Sequence, residues 1–168
     1  VHKYLGFAYA KAGETDTDGI AIGGVSVGES KVEMKNVLDW VCPLLPDDKP
    51  RHLLGVGEID DIFTLVEHGV DTFDCVQPTR LARMGILLTN FFQLNNTKSV
   101  FAKDTSPIDP TCQCYTCTNF SRAYLHHLFH VRELLGYRLA TIHNIFFINN
   151  VVSLIRNAIS EDRFLELK

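Results

Sequence analysis

Three short apolar runs, separated by segments of helical periodicity, restrict the first half of this chain to a parallel α/β arrangement. Gly19-Ile20-Ala21-Ile22-Gly23-Gly24 reads as a short buried strand that runs into a glycine turn. His52-Leu53-Leu54-Gly55-Val56-Gly57 repeats the pattern, and Val70 to Val76 forms a third run, stopped by Pro78. Between the first two, residues 29–41 place Val32, Val37, Leu38 and Val41 on one apolar side, and Pro43 and Pro46 end that helix. Between the second and third, Ile59, Ile62, Phe63 and Val66 recur at helical spacing, with Gly69 suited to the position just past the helix end. Strand–helix–strand–helix–strand order implies parallel pairing through right-handed crossovers. In such architectures active sites gather at the C-terminal strand ends. Those ends carry Gly23-Gly24, Gly55-Val56-Gly57 and Asp74-Cys75. Three units are too few to close a barrel of eight, so the fold expected is α/β, part of a (β/α)8 TIM barrel or an open half.

Beyond Pro78 the pattern changes. Residues 86–88, 91–94 and 99–101 read as short antiparallel strands, with Asn95-Asn96 at a turn. Two helices close the chain. Ser121 can cap the first, whose apolar side runs through Ala123, His127, Leu128, Val131 and Leu135 to a stop at Gly136. The second carries a core stripe of Ile145, Ile148, Val152, Ile155 and Ile159. Residues 1–17 give no clear pattern. The organisation expected is barrel units over 1–84, a zinc-binding insertion over 85–142 and closing helices over 143–168.

The insertion is expected from the cysteines. Three of the five, Cys112, Cys114 and Cys117, crowd into six residues, which suits metal ligation better than a disulfide framework. Zn²⁺ takes four tetrahedral ligands, and three thiolates with one histidine form a common structural set. His143, read as lying just before the last helix, is the choice for the fourth ligand. His126, His127 and His130 on the preceding helix remain alternatives on spacing alone. Such a site has no open position for water, so its role is folding. Unpaired cysteines also suit a reducing cytoplasm. No apolar run reaches the ~20 residues that span a bilayer, and the N-terminus lacks a signal-peptide pattern. The net charge of −4 argues against a generally basic nucleic-acid binder, though not against a local basic patch.

Asp74 interrupts an apolar strand. It is either a buried carboxylate satisfied by backbone amides or a nucleophile or base at the rim of the sheet. Arg80 and Arg83, three residues apart, are either ordinary surface residues or forks for phosphate.

Taken in order, four stretches resemble the tRNA-guanine transglycosylases of the bacterial type: Gly19 to Glu29, Leu45-Pro46-Asp47-Asp48-Lys49-Pro50 through Gly57, Phe73-Asp74-Cys75-Val76-Gln77-Pro78-Thr79-Arg80, and Cys112-x-Cys114-x-x-Cys117 with Ser121-Arg122-Ala123-Tyr124-Leu125-His126-His127. Thr141-Ile142-His143-Asn144 extends the resemblance and matches the family's fourth zinc ligand. The resemblance, running from about Asp18 to the C-terminus, implies exchange of guanine at the wobble position of a tRNA with a GUN anticodon for a 7-deazaguanine, in queuosine biosynthesis. Asp74 matches the nucleophile that forms a covalent ribosyl intermediate. Gly23, Gly24 and Val25 match the loop that borders the base, and Leu54 a residue that covers it. Gly55, Val56, Gly57, Glu58, Ile59, Asp60 and Asp61, with Thr79, Arg80, Leu81, Ala82 and Arg83, match segments that contact the anticodon. Val25-Ser26-Val27-Gly28 is similar to the version associated with preQ1; the queuine-using version has a further glycine at Val27. Glu58 stands where the family has lysine, which removes or reverses one phosphate contact. The family's N-terminal half, with its general acid/base aspartate, has no counterpart here, so this chain alone is expected to be inactive. The resemblance further implies one structural Zn²⁺ per chain, a homodimer and no membrane association. The alternative is a non-catalytic RNA-binding partner subunit, or a zinc-stabilised fragment, of the same family.

Overall fold

A computed structural model of the chain describes residues 2–24, 30–90 and 92–167. The chain divides into two compact units, Val1–Cys75 and Val76–Lys168.

The first unit runs α1 (His2–Gly13), β1 (Ile20–Ile22), α2 (Lys31–Val41), β2 (Arg51–Leu53), α3 (Ile59–Glu67) and β3 (Thr72–Phe73). The strands form one sheet in the order β1-β2-β3, all parallel, as the alternation of elements requires. The register pairs Ala21 with His52 and His52 with Thr72, then Leu53 with Phe73. Ile20, Ile22 and Leu53 point into a core shared with Met34, Leu38, Val41 and Leu65. Ala21 and His52 therefore occupy the opposite face of the sheet. The unassigned N-terminal stretch is a helix, and the third strand is shorter than residues 70–76. Helix α2 starts at Ser30, whose Oγ accepts from the Glu33 amide while Glu33 Oε2 accepts from the Ser30 amide, a reciprocal cap. That start sets the buried face through Met34, Leu38 and Val41. Val32, expected inside, is 69% exposed; it stands about 200° around the helix from Met34.

The second unit comprises α4 (Gln77–Arg83), β4 (Ile86–Leu88), β5 (Gln93–Asn95), α5 (Tyr115–Asn119), α6 (Arg122–His130), α7 (Leu134–Ser160) and α8 (Phe164–Leu167). Strands β4 and β5 pair antiparallel. The expected strand at 99–101 is instead a single 3₁₀ turn, Ser99–Phe101. Its chain has already left the sheet at Asn95, whose Oδ1 accepts from the Thr97 amide and hydroxyl. The closing helices also differ from expectation. The break falls at Arg132, which adopts a left-handed φ of 58°. Gly136, read as a helix stop, lies inside α7, where a Cβ would come within 3.0 Å of Leu128 Cβ. Its bare Cα lets α6 and α7 approach closely.

Helix α7 is long and apolar enough, by length and composition, to cross a membrane, contrary to the expectation that no segment is. One face of it is buried and holds polar groups with protein partners. That face runs through Leu139, Ala140, His143, Asn144, Phe147, Ile155 and Ala158. Of the expected isoleucine–valine stripe only Ile155 is fully buried, while Ile145 and Ile159 are exposed. Asn144 has no exposed surface. Its Oδ1 accepts from the Leu88 amide at 3.0 Å, and its Nδ2 donates to the Pro78 and Ile86 carbonyls, both at 3.0 Å. One side chain thus ties α7 to α4 and β4. Replacing Asn144 with leucine orphans three backbone groups, two in buried bonds and one in a part-buried bond, at ~1–3 kcal/mol each where buried. We expect Asn144→Leu to lose roughly 3 kcal/mol or more, read as a lower denaturant midpoint.

Candidate active site and metal centre

The C-terminal ends of the parallel strands gather the residues on which the sequence converged. Asp74 follows β3 directly, and its side chain is 59% exposed rather than buried. Its Oδ1 accepts from the Gly55 amide at 3.3 Å and lies 3.2 Å from His52 Nε2. Gly55 has a φ of +76°, a conformation that favours glycine, and this turns its N–H toward the carboxylate. His52 Nδ1 sits 2.8 Å from the Thr72 hydroxyl. These three side chains share the sheet face opposite the core, two residues apart along β3 and in register across to β2.

Gly23 lies at the end of β1. A Cβ there would come within 3.2 Å of Leu54 Cδ1, so any larger residue at 23 displaces the Leu54 side chain by a few tenths of an ångström. Leu54 itself is 44% exposed. Tyr9 fixes this turn from α1, its hydroxyl accepting from the Gly23 amide at 2.9 Å and donating to the Gly23 carbonyl at 3.1 Å. Gly24 is exposed beside it. Val25 lies outside the described residues.

The segment after β2 mixes surface and interior. Glu58 and Asp60 are exposed, Ile59 is half-buried, and Val56, Gly57 and Asp61 are buried. Lys31 from α2 pairs with Glu58 at 2.9 Å and with Asp61 at 3.1 Å. The acidic residue at 58 is thus partly neutralised within the unit, and the two carboxylates, Glu58 first, hold the Lys31 ammonium above its ordinary pKa. In the second unit, Arg80 and Arg83 are exposed on α4 and make no ion pair among the described residues; Thr79 and Leu81 are half-buried and Ala82 is buried.

Cys112, Cys114, Cys117 and His143 converge, their four ligand atoms lying within 4.8 Å of one another. None of His126, His127 and His130 belongs to this group; His126 Nδ1 meets the Asn96 carbonyl and its ring stacks on His130. His143 lies within α7 rather than before it. Its Nδ1 is 3.8, 3.5 and 3.4 Å from the sulfurs of Cys112, Cys114 and Cys117. A tetrahedral Zn²⁺ with ordinary bond lengths places sulfur and nitrogen about 3.6 Å apart, so the donor set fits that ion. The far nitrogen, Nε2, donates to the Leu88 carbonyl at 2.7 Å, which leaves Nδ1 bare toward the sulfurs. The Cys117 amide donates to Cys114 Sγ at 3.3 Å. The Cys117 thiol, hydrogen-bonded to Cys114, holds the Cys114 thiol far down, to about 3. The same contact, with burial, pushes the Cys117 thiol well up, and burial chiefly raises that of Cys112. Three thiolates coexist here only around a cation.

The described chain is thus an α/β protein with a carboxylate presented at the C-terminal end of a parallel sheet and, in a separate unit, a Cys₃His group able to hold a metal ion. A family model described as queuine tRNA-ribosyltransferase matches residues 6–168, so the similarity begins well before Asp18 and includes most of α1. The chain is 50% identical over 153 residues to the queuine tRNA-ribosyltransferase of Thermodesulfovibrio yellowstonii, covering 91% of this chain and 40% of that relative. It is 51% identical over 155 residues to that of Desulforudis audaxviator, covering 92% and 42%, and 50% identical over 159 residues to that of Francisella tularensis subsp. novicida, covering 95% and 43%. The chain belongs to the queuine tRNA-ribosyltransferase family. It spans about two fifths of the length of the curated relatives it matches.

Sequence reasoning passed over His52, Tyr9 and Lys31. The first two hold site atoms by hydrogen bonds that no spacing announces, and Lys31 meets its partners across two elements.

Proposed function

We propose that this chain supplies the nucleophile-bearing part of a tRNA-guanine transglycosylase. Its parallel strands are the last units of a (β/α)8 TIM barrel, and residues 85–142 form the zinc-binding insertion. The Asp74 carboxylate attacks ribose C1′ of the wobble nucleotide as the bond from C1′ to guanine breaks, giving a covalent ribosyl ester. The incoming deazaguanine, preQ1, attacks the same carbon from the vacated face and releases Asp74, so two inversions retain configuration. The proton for departing guanine comes from a general acid outside these residues. Gly23, Gly24 and Leu54 border the base, which must leave its stack to reach the carboxylate. The Arg80–Arg83 pair contacts phosphate, and a homodimer is the working assembly. Zn²⁺ held by Cys112, Cys114, Cys117 and His143 supplies no chemistry beyond fixing α5, α7 and the hairpin. A reducing compartment such as the cytoplasm keeps those thiols available.

One observation carries the reading: Asp74 stands exposed at a parallel strand end, held through one oxygen by the backbone of the neighbouring glycine turn. The test is exchange of labelled guanine in tRNA by the polypeptide that carries this chain. We expect incorporation confined to tRNAs with a GUN anticodon; no incorporation, with zinc bound and tRNA binding intact, overturns the reading in favour of a non-catalytic partner.

A further inference from the structure

We infer that His52 is a positioning residue that fixes which oxygen of Asp74 reacts; this rests on Asp74 being the nucleophile. A carboxylate at an exposed strand end can rotate about its last bond, and a freely rotating nucleophile spends little time aligned with its target carbon. Two donors restrain this one. The Gly55 amide and His52 Nε2 both fall on Oδ1, at 3.3 and 3.2 Å. Because the carboxylate can only accept, Nε2 donates to Oδ1; in the tautomer whose one ring proton sits on Nε2, the acceptor is Nδ1. Its neighbour at 2.8 Å is the Thr72 hydroxyl, able to donate. The relay therefore runs from the Thr72 hydroxyl to His52 Nδ1 and from His52 Nε2 to Asp74 Oδ1, and each link sets the next. With Oδ1 engaged twice, Oδ2 is the oxygen that meets the sugar.

The sheet supplies this alignment through its register. His52 and Thr72 are direct partners across parallel β2 and β3, so their side chains rise from the same face. Asp74, two residues beyond Thr72, returns to that face one step closer to the strand ends. The ring of His52 is about one third exposed and needs no place in the hydrophobic core. A small hydroxyl at 72 leaves room for it.

The test uses the whole polypeptide with steady-state exchange of labelled guanine in tRNA. His52→Phe keeps the ring volume and removes both nitrogens. We expect kcat to fall on the order of 10²-fold, with KM for tRNA and the thermal midpoint near their original values. His52→Gln, which restores a donor at similar reach, recovers most of that loss. Thr72→Val, a change of one hydroxyl, lowers kcat by a smaller factor and keeps the test available if His52→Phe does not fold. Unchanged kcat in His52→Phe or, if that variant does not fold, in Thr72→Val overturns the inference, as does an equal loss in His52→Phe and His52→Gln, which marks a packing role. Failure of the underlying reading looks different: exchange then survives Asp74→Ala.

Discussion

We expect Asp74→Ala to abolish guanine exchange, lowering kcat on the order of 10⁴-fold or more, while tRNA binding persists. The size of the effect follows from the lack of a substitute. His52 and Thr72 share the sheet face with Asp74; Thr72 is bonded to His52 and His52 to the carboxylate, and neither presents an anionic oxygen. Removing the carboxylate therefore removes the covalent route altogether, rather than slowing a proton transfer. Asp74→Asn separates charge from shape. It keeps an oxygen able to accept from Gly55 N–H but is a poor nucleophile, so it too loses exchange. The measurements are labelled-guanine incorporation and, in a single turnover, the tRNA–protein adduct on a denaturing gel. We expect the wild-type protein to form the adduct and neither variant to do so. Exchange within tenfold of wild type in Asp74→Ala removes this residue from the mechanism.

We expect Cys117→Ala, or prolonged chelation, to unfold the second unit. The expectation rests on how much structure meets at the ion. Cys114 and Cys117 belong to the same buried cluster as Leu87, Leu125 and Leu139. The ligands come from the loop opening α5, from α5 itself at Cys117 and from α7, and His143 carries the link on to β4 through Leu88. Structural zinc sites contribute about 10 kcal/mol or more to folding, more than an average domain has to spare. The signature is loss of helical circular dichroism on chelation, restored by added Zn²⁺. Acid acts in the same direction, because protons compete with the ion for thiolates and imidazole; stability is present at neutral pH and falls as pH is lowered. His143→Ala should lower zinc content to the same extent as Cys117→Ala. Full retention of zinc in His143→Ala assigns the fourth ligand elsewhere.

The parallel sheet was legible in the sequence because its strands are short, apolar and punctuated by glycine, with helical periodicity between them. Asp74 and the cysteines were legible because their residue types are unusual where they stand. Helix α7 was not, and the reason is specific. Hydrophobic periodicity selects Ile145, Ile148 and Val152, yet the buried face passes through His143 and Asn144. A histidine facing three thiols and an asparagine bonded to three backbone groups lose nothing by burial, so hydropathy points about one residue's rotation away from the true face. The break before α7 was misplaced because Gly136 is a stronger stop signal than Arg132, although the left-handed turn falls at Arg132. His52 escaped notice for another reason. Its importance depends on register with Thr72, which strand composition does not encode.

The seat of His143 in mid-helix has a kinetic corollary. A ligand on a loop can swing aside and let its ion go; this imidazole stands on a buried face of α7 and is held from behind by the Leu88 carbonyl, so its release must break that bond and disturb the packing around it. We therefore expect departure of a bound metal to wait on a local opening of this packing, and its exchange to be slow even where competing ions bind as tightly. Whichever suitable cation is captured during synthesis should stay for the protein's lifetime, and a cobalt-loaded preparation should keep its colour through long dialysis against zinc.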